Sequence, residues 1–375
     1  MTPATHAAAL LAERTTLRVG GPAQRLRETA SEAEFIAALR EADDAGQNLL
    51  VLGGGSNVVI ADEGFAGDVV TDGRREITVL GLTEHEVRLR VPAGQPWDDV
   101  VARAVDEGWS GIEALSGIPG SSGATPVQNV GAYGQEIAER LTGVTVWDRQ
   151  RRTRMRLGPA QLELGYRTSQ LKRSISDPIQ AWGPTPRHVV LDVDLTLVRH
   201  PESQPVRYGE LARALGVEVG QRAPLAEVRR AVLALRRGKG MVLDAADHDT
   251  WSAGSFFTNP VLSASAAGQL PADAPRYPVL SYSFAADGTP TISEVAGEVK
   301  TSAAWLLTRA GFDRGYGMPG PAALSSKHAL AITNRGGANA ADVAALAREL
   351  RDGVRDRFGV ELLPEPVFIG LSLAG

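Results

Sequence analysis

Short glycine clusters set between apolar runs constrain the fold of this chain more than any other feature. Residues 53–57 have the sequence Gly-Gly-Gly-Ser-Asn and lie between the apolar run 49–52 and the β-type run 58–60. A second stretch, residues 108–134, is rich in Gly, Pro and Ser and has little apolar periodicity. Glycine lets a backbone approach a ligand closely, and long structureless stretches in compact domains are usually functional. Two such loops in one α/β chain can hold a large nucleotide.

Composition narrows the class of protein. The chain has 375 residues and no cysteine, and its net charge is −5. At roughly 150 residues per domain, two or three domains are expected. The lack of cysteine excludes a disulfide scaffold, a thiolate nucleophile and a Cys-ligated metal site. The charge argues against a nucleic-acid partner, and no apolar stretch reaches the ~18 residues that a membrane span needs. The N-terminus does not resemble a secretory signal, so we expect a cytoplasmic protein that binds neither nucleic acid nor membrane.

Apolar periodicity and capping residues predict the order of elements. Ser31 with Glu34 predicts a capping box that opens a helix ending near Gly46. Further helices are predicted over 97–107, after Pro224 and after a cap at Asn339, and the alternation in 188–199 predicts a strand with Val189 to Leu197 facing one way. Two prolines make the C-terminal apolar run an edge strand. The predicted domains are residues 1–72, residues 73–245 with 360–375 returning to them, and residues 246–359.

Neither the first glycine cluster nor the Gly238-Lys239 pair matches a common nucleotide-binding motif. After residues 53–57 a strand follows instead of a helix, and the third glycine of the Rossmann fingerprint is missing. Gly238-Lys239 lacks the upstream glycine and the following Ser or Thr of a Walker loop. Consecutive N–H groups without a Cβ nevertheless suit a pyrophosphate. An isolated glycine-rich turn is more often a simple turn than a phosphate site, so the first cluster alone does not establish phosphate binding.

Three polar residues occur where packing alone explains them poorly. Arg167 follows a glycine and a tyrosine, Ser255 precedes two phenylalanines, and Glu365 lies between two prolines. A surface arginine, a capping serine and an edge-strand charge are the simple alternatives. No Gly-x-Ser-x-Gly elbow surrounds Ser255, so a hydrolytic triad is not expected. The six histidines show no metal-ligand spacing, so no metal site is expected. The sequence has only four lysines, so each marks a position where a compact ammonium group can matter. They are Lys172, Lys239, Lys300 and Lys327.

Together these segments resemble the bacterial UDP-N-acetylenolpyruvoylglucosamine reductase (MurB) family of peptidoglycan synthesis. Five collinear blocks carry the resemblance, in the family's order and spacing from Arg14 to the C-terminus. They are residues 52–57, 118–134, 165–167, 253–260 and 364–370. The insertion around residues 206–211 resembles the longer of the family's two types, in which a tyrosine loop covers the substrate.

The resemblance implies an α+β fold of the vanillyl-alcohol-oxidase (PCMH) type, with two FAD-binding subdomains and a C-terminal substrate-binding domain. It also implies non-covalent FAD, NADPH as co-substrate, and reduction of the enolpyruvyl ether of a UDP-sugar. Under this reading the two glycine-rich loops bind FAD. The cofactor-binding residues would be Gly53, Gly54, Gly55, Ser56, Asn57, Gly117, Pro119, Gly120, Ser121, Gly123, Asn129, Gly131, Ala132 and Tyr133.

The family's catalytic positions correspond to Arg167, Ser255 and Glu365. By resemblance, Arg167 and Glu365 stabilise an enolate-like dianion and Ser255 protonates it. An ionised Glu365 would repel a dianion, so this carboxyl group must act in its protonated or hydrogen-bonding form. The substrate-binding positions correspond to Tyr208, Arg236, Lys239 and Asn259. The expected partners are the UDP-sugar and NADPH, and a monomer is expected.

Two alternatives remain open from the sequence. The first is a flavin oxidase or dehydrogenase of the same fold that acts on another substrate. Two observations argue against it: the chain has no cysteine for covalent flavin attachment, and the Ser255 and Glu365 blocks have no role in such a reaction. A non-catalytic nucleotide-binding protein would share the glycine loops alone. A flavin absorption spectrum separates the non-catalytic alternative from the other two readings.

Overall fold

The computed structural model describes residues 4–6, 9–285 and 290–373. The first segment is a small α/β unit with a 3-10 helix at Leu11–Arg14. Its strands and helix are β1 (Ala4–His6), β2 (Ala23–Thr29), α1 (Glu32–Asp44), β3 (Leu49–Val51), β4 (Val58–Ile60) and β5 (Phe65–Asp72). Four strands form a sheet in the order β1-β2-β5-β3, in which β2, β5 and β3 run parallel.

Helix α1 begins at the predicted cap. The Oγ of Ser31 accepts a hydrogen bond from the N–H of Glu34 at 3.2 Å. The carboxylate of Glu34 accepts its bond from the N–H of Ala30, one residue earlier than a capping box requires. Phe35, which is fully buried, packs with Leu39 under the sheet. The helix is therefore capped and buried on one face, as its sequence predicts.

The second segment contains most of the β-structure. Its elements are β6 (Thr78–Leu82), β7 (Glu86–Pro92), α2 (Trp97–Asp106), β8 (Trp109–Ser110), α3 (Ala124–Gln128), β9 (Gly131–Ala132), β10 (Gln135–Glu136), β11 (Leu141–Asp148), β12 (Thr153–Leu157), α4 (Pro159–Leu162), α5 (Gln170–Arg173), β13 (His188–Arg199), α6 (Gly209–Leu215) and α7 (Leu225–Gly238). The antiparallel sheet has the order β12-β11-β13-β7-β6, with β8 also paired to β13. The long glycine-rich stretch thus contains only short elements.

The prediction that the apolar residues of β13 face one way is wrong. Val189 and Leu191 pack against the α1 side of the sheet, whereas Val193, Leu195 and Leu197 pack on the α2 side. The register with β11 skips Leu191, because Val190 pairs with Val146 and Asp192 pairs with Thr145. An extra residue of this kind, a β-bulge, inverts the faces that follow it. The central strand therefore joins the cores of the first two segments.

The third segment packs around two helices. Its elements are β14 (Val261–Ser263), α8 (Ala264–Gln269), β15 (Tyr277–Phe284), β16 (Pro290–Lys300), α9 (Ala303–Ala310), β17 (Ala322–Leu324), β18 (Ile332–Asn334) and α10 (Ala340–Phe358), and the last strand of the chain, β19 (Val367–Ile369), follows them. Asn339 caps α10 by accepting from the N–H of Asp342 at 2.8 Å, as predicted. Phe256 and Phe257 are buried against α9 and α10 in one apolar cluster. Among the residues described, no helix combines the length and apolar character that crossing a bilayer requires.

The prediction that residues 360–375 return to the second segment is wrong for the part that the structure describes. Strand β19 pairs in parallel with β4 of the first segment, with Val367 opposite Val58 and Ile369 opposite Ile60. Ile369 is buried in the apolar cluster of that segment, beside Leu52. Strand β19 therefore completes the first unit, and the two prolines precede its paired residues, whereas Val360 and Leu362 are buried in the apolar cluster of the third segment. The two-stranded pairing agrees with the predicted edge position.

Candidate functional site

A cavity of about 900 Å³ lies where the three segments meet. Both glycine-rich loops line it, together with the three polar residues that the sequence singled out. The predicted site residues on its wall are Gly53, Gly54, Gly55, Ser56, Asn57, Pro119, Gly120, Ser121, Gly123, Gly131, Arg167, Arg236, Ser255 and Glu365. The volume is at the upper end of the ~300–1,000 Å³ range of ligand sites. It can therefore hold a ligand as large as a dinucleotide.

The two glycine loops touch each other at the cavity wall. A Cβ on Gly54 would lie 2.7 Å from the Cα of Gly120, so a side chain at Gly54 would separate the loops. The Oγ of Ser56 donates to the carbonyl of Pro119 at 3.0 Å. Glycine is required here for contact between backbones, which accounts for the cluster in the sequence.

The backbone of the first loop is free to bind an anion. Within the described part of the chain, the recorded hydrogen bonds use none of the N–H groups of residues 53–57, and none of those of Gly120 and Ser121. Successive unpaired N–H groups on a turn form an anion-binding concavity. The arrangement fits a pyrophosphate, although the loop matches neither common fingerprint.

Arg167 is held by backbone carbonyls at one end of the cavity. Its guanidinium donates to the carbonyls of Asn129 at 3.3 Å and Gly131 at 2.6 Å, and its Nε lies 3.5 Å from Oε1 of Glu365. Among the described residues, six non-glycine residues have φ in the left-handed region, and three are predicted site residues: Asn129, Tyr133 and Arg167. Such backbone conformations cost ~1–3 kcal/mol and concentrate at functional sites. The surrounding bonds fix the Arg167 side chain in spite of that cost.

Ser255 and Glu365 are tied to each other through the backbone. Phe256, next to Ser255, accepts a hydrogen bond from the N–H of Glu365 at 2.9 Å. The N–H of Val367 donates to the carbonyl of Asn57 at 3.0 Å, which joins the same strand to the first glycine loop. Among the described residues, the Oγ of Ser255 has no recorded partner, so it is available to a ligand in the cavity. The buried phenylalanine behind Ser255 anchors it.

Neither Lys172 nor Gln128 was predicted as a site residue, yet both line the cavity. The Nζ of Lys172 donates to Oε1 of Gln128 at 2.7 Å and to the carbonyl of Glu365 at 3.1 Å. Burial lowers the pKa of Lys172, and the nearby Glu365 opposes that shift. The scarcity of lysine was the signal that could have identified this residue. For Gln128 the only signal was its position in the second glycine-rich stretch.

The structure places three predicted residues in a separate group, which we call the tyrosine cluster: Tyr133, Tyr208, Lys239 and their neighbour Glu210. The rings of Tyr133 and Tyr208 meet edge to face, with centroids 5.6 Å apart. The Nζ of Lys239 lies 5.6 Å from the centroid of Tyr133 and 2.5 Å from Oε2 of Glu210. Tyr133 therefore contacts the predicted substrate residues and does not line the main cavity, where its predicted flavin role would place it.

Arg236 connects the tyrosine cluster to the main cavity. Its guanidinium donates to the carbonyl of Met241 at 2.9 Å, and its buried Nε has no partner among the described residues. Burial lowers the pKa of Arg236, while Tyr133 opposes the shift. Arginine still remains charged, since its ordinary pKa exceeds ~12. A buried cation with an unused donor is suited to bind an anionic group.

Four other predicted residues do not line the cavity. Gly117 donates its N–H to Asp98 at 2.6 Å, and a Cβ there would meet Leu233 on α7. Asn129 is buried and donates to Glu136 and to the carbonyl of Gly165. Ala132 lies in the short strand β9. Asn259 accepts through Oδ1 from the N–H of Ala303 at the start of α9.

A family model for an FAD binding domain matches residues 23–154, where both glycine-rich loops lie. The model of the UDP-N-acetylenolpyruvoylglucosamine reductase C-terminal domain matches residues 246–369, which contain Ser255 and Glu365. The fold and cavity therefore define a flavoprotein of the α+β, FAD-binding class, as the sequence resemblance implied.

Similar proteins agree with this class along almost the whole chain. The UDP-N-acetylenolpyruvoylglucosamine reductase of Thermobifida fusca is 53% identical over 364 residues, covering 97% of each chain. The reductase of Streptomyces avermitilis is 50% identical over 365 residues, covering 97% of this chain and 94% of its own. The crystal structure of the reductase from Thermus caldophilus aligns with 98% of this chain and 99% of its own, at a TM-score of 0.62 and 24% identity. The chain belongs to the UDP-N-acetylenolpyruvoylglucosamine reductase family.

Proposed function

We propose that this chain reduces UDP-N-acetylglucosamine enolpyruvate to UDP-N-acetylmuramate, with NADPH as reductant and non-covalent FAD as carrier, in peptidoglycan precursor synthesis. The names and identities of its relatives support the reaction. The observation that carries the assignment to particular residues is the convergence of Arg167, Ser255 and Glu365 on one cavity walled by both glycine loops.

The unpaired N–H groups of residues 53–57, Gly120 and Ser121 would hold the pyrophosphate of FAD. The cavity is large enough for the rest of the dinucleotide, and Pro119, Gly123 and Gly131 line it. When bound there, FAD would supply hydride-transfer chemistry between NADPH and the terminal CH₂ of the enolpyruvyl group. Gly117, Asn129 and Ala132 would act on the shape of the second loop, since they lie behind its wall. Their contacts with Asp98 and Glu136 support that role for Gly117 and Asn129.

Addition of hydride moves the electron pair of the C=C bond to the neighbouring carbon and into the carboxylate. Arg167 would bind this developing charge, because a guanidinium is permanently positive and matches a carboxylate fork. Its bonds to two carbonyls hold it in place before charge develops, which is the arrangement that stabilises a transition state most. Glu365 would contribute through its protonated carboxyl group. In this form it donates a hydrogen bond to the dianion.

Ser255 would complete the reduction. Its Oγ–H bond breaks as the proton joins the carbanionic carbon, and water then returns a proton to the serine oxygen. Serine is a weak acid, so it suits a strongly basic enolate carbon. The unpartnered Oγ and the rigid backbone behind it support this assignment. The net reaction consumes one hydride from NADPH and one proton.

The tyrosine cluster and two further polar residues would bind the UDP-sugar. Lys239 and Tyr208 are assigned to the diphosphate, and Asn259 to the sugar–phosphate end. The buried Arg236 lines the cavity and has an unused donor, which supports an anionic contact. Tyr133 joins this group by its contacts with Tyr208 and Lys239. Glu210 neutralises Lys239 until a phosphate competes for the ammonium.

The finer organisation is also a proposal. We assign residues 1–72 with 360–373 to the first FAD-binding subdomain, residues 73–245 to the second and residues 246–359 to the substrate-binding domain. The pairing of β19 with β4 supports adding the C-terminal segment to the first. The enzyme would act as a monomer in the cytoplasm, on water-soluble NADPH and a nucleotide sugar. Sedimentation equilibrium that gave a dimer mass would contradict the monomer.

Ser255→Ala tests the proposed function. The variant should bind FAD and be reduced by NADPH at the rate of the unmodified protein, while turnover of the enolpyruvyl UDP-sugar falls by about 10²- to 10⁴-fold. The absorbance of the flavin, followed in a stopped-flow instrument, separates the two half-reactions. Equal turnover in the variant would remove Ser255 from the mechanism. Purified protein without flavin absorbance, or flavin that the substrate does not reoxidise, would contradict the function itself.

A further inference from the structure

The hydrogen bonds around Glu365 include a lysine to which the reaction scheme gives no role. Lys172 is in helix α5, where Ser169 caps the helix by accepting from the N–H of Lys172 at 3.1 Å. The Oγ of Ser169 donates to the carbonyl of Val127 in α3 at 2.7 Å. These bonds fix α5 against α3 and bring Lys172 to Gln128. The ammonium is therefore positioned by buried backbone contacts.

The donor chemistry of lysine determines which way the Gln128 amide faces. An ammonium group has three donors and no acceptor, so it must meet the amide oxygen of Gln128. The recorded contact is Nζ to Oε1 at 2.7 Å. The amide nitrogen is then directed to Glu365, where Nε2 donates to Oε1 of the carboxyl group at 2.9 Å. Bonds in such a chain polarise and strengthen one another.

The same contacts distinguish the two oxygens of Glu365. Oε1 receives the Gln128 amide and lies 3.5 Å from Nε of Arg167. Oε2 has no recorded donor among the residues that the structure describes. The second bond from Lys172 holds the backbone carbonyl of Glu365 at 3.1 Å, so both the side chain and the main chain of this residue are restrained.

We propose that Lys172 is a positioning residue, which acts through Gln128 to keep Oε1 of Glu365 as an acceptor and to leave Oε2 as the oxygen that donates a hydrogen bond to the substrate dianion. This inference rests on the proposed function. It gives Lys172 a task in the half-reaction that protonates and stabilises the substrate dianion, and none in flavin reduction by NADPH. A protonated Oε1 would instead direct its hydrogen at the Gln128 amide nitrogen, where no acceptor exists.

Lys172→Met tests the proposal, because methionine has a side chain of similar length to lysine but lacks the ammonium donors. Reoxidation of the reduced flavin by the enolpyruvyl UDP-sugar should slow by about 10- to 100-fold, the usual effect of a displaced reacting group. Flavin reduction by NADPH and FAD content should stay within about threefold of the unmodified protein. Lys172→Arg keeps the donors and should restore most of the reoxidation rate. Equal slowing in both variants, or an unchanged rate in Lys172→Met, would overturn the proposal.

A double-mutant cycle with Gln128→Leu separates positioning from general support of the fold. If Lys172 acts through Gln128, adding Lys172→Met to Gln128→Leu should slow reoxidation by less than about threefold more, since coupled residues are not additive. If the rate loss in the double variant equals the product of the two single losses, Lys172 does not act through Gln128 and the proposal is refuted. A crystal structure of Lys172→Met should show the Glu365 carboxyl group displaced from Gln128, and an undisturbed carboxyl group would also refute it.

Arg173→Met is the matched control. Arg173 follows Lys172 in the same helix, but its guanidinium pairs with Glu163 at the exposed side. Its loss should leave both half-reactions unchanged. The unmodified protein is the reference for the proposed function: flavin that is bound but never reoxidised by the enolpyruvyl sugar contradicts the function. Normal reoxidation in the unmodified protein, together with normal reoxidation in Lys172→Met, contradicts only the proposed role of Lys172.

Discussion

Two groups of residues hold their charges in opposite ways. One is the group of Arg167, Ser255 and Glu365, which we call the reaction centre, and the other is the tyrosine cluster. In the reaction centre, Arg167 is fixed mainly by carbonyls of the second glycine loop, and only its Nε approaches the carboxyl group of Glu365. In the tyrosine cluster, Lys239 pairs directly with Glu210, and Tyr208 is 46% exposed. The first arrangement keeps a full positive charge available in the cavity, whereas the second neutralises its charge within the protein.

The difference indicates which group changes partners when a ligand binds. Neutral carbonyls orient Arg167 without cancelling its charge, so the guanidinium can stabilise charge that develops on a substrate. Under the proposed function, Lys239 would exchange Glu210 for a phosphate, and loss of the Glu210 pair would reduce the net gain from binding. The reaction centre should therefore affect turnover, and the tyrosine cluster should affect affinity. Substitutions in each region test this division.

Arg167→Lys should give the largest effect of the three substitutions that follow. Lysine keeps the charge but cannot span the carbonyls of Asn129 and Gly131 and still present a fork to the substrate. We expect kcat to fall by about 10²- to 10³-fold, the usual cost of losing one oriented donor. Steady-state kinetics would measure this, with FAD content from absorbance as the check on folding. Turnover within threefold of the unmodified protein would remove the distinction between the two regions.

Lys239→Met should change affinity and leave turnover nearly intact. Loss of the ammonium should raise KM for the UDP-sugar by about tenfold, with kcat within about threefold, because the interaction is present equally in ground and transition states. Glu210→Gln is the complementary variant. It removes the competing carboxylate and should leave KM unchanged or lower it. A fall in kcat as large as that of Arg167→Lys would show that the tyrosine cluster belongs to the reaction centre.

Tyr133→Leu should have the smallest effect and decides where Tyr133 belongs. The substitution removes the edge-to-face contact with Tyr208, which is worth ~0.5–1.5 kcal/mol beyond burial. We expect KM for the UDP-sugar to rise about three- to tenfold, with FAD affinity and the flavin spectrum unchanged. Gly54→Ala provides the contrast, since a Cβ there meets Gly120 and should weaken FAD binding. Loss of FAD from Tyr133→Leu would return this residue to the flavin site.

The sequence predicts elements well where the signal is local. The cap at Asn339, the helix after Pro224 and the strand at 188–199 are confirmed, because capping and periodicity act within a few residues. The β-bulge at Leu191 depends on pairing with β11 and has no local signal. The pairing of β19 with β4 was not predicted for the same reason, since β4 lies about three hundred residues away and pairing between distant strands leaves no local signal on either one.

The candidate site shows the same limit. Collinear blocks were sufficient to select Arg167, Ser255 and Glu365, and the structure brings all three to one cavity. Tyr133 shares a block with the flavin loop, yet its ring contacts Tyr208, and its left-handed φ has no signal in the spacing of the block. Lys172 is only five positions after Arg167, but its importance depends on a contact with Gln128 that spacing does not reveal.

The pairing of β19 with β4 has a consequence for how the site comes into existence during folding. Asn57 and Glu365 are 308 positions apart, and a hydrogen bond from the Asn57 side chain to the Glu365 carbonyl joins them. The first glycine loop can form early, since its flanking strands are local. Its neighbour β19 follows every other element in chain order, and sequence separation of this kind slows folding. The cavity thus acquires the Glu365 carboxyl group only when the chain closes on itself. A partly folded molecule that already held a dinucleotide would therefore lack the group that we propose to stabilise the dianion.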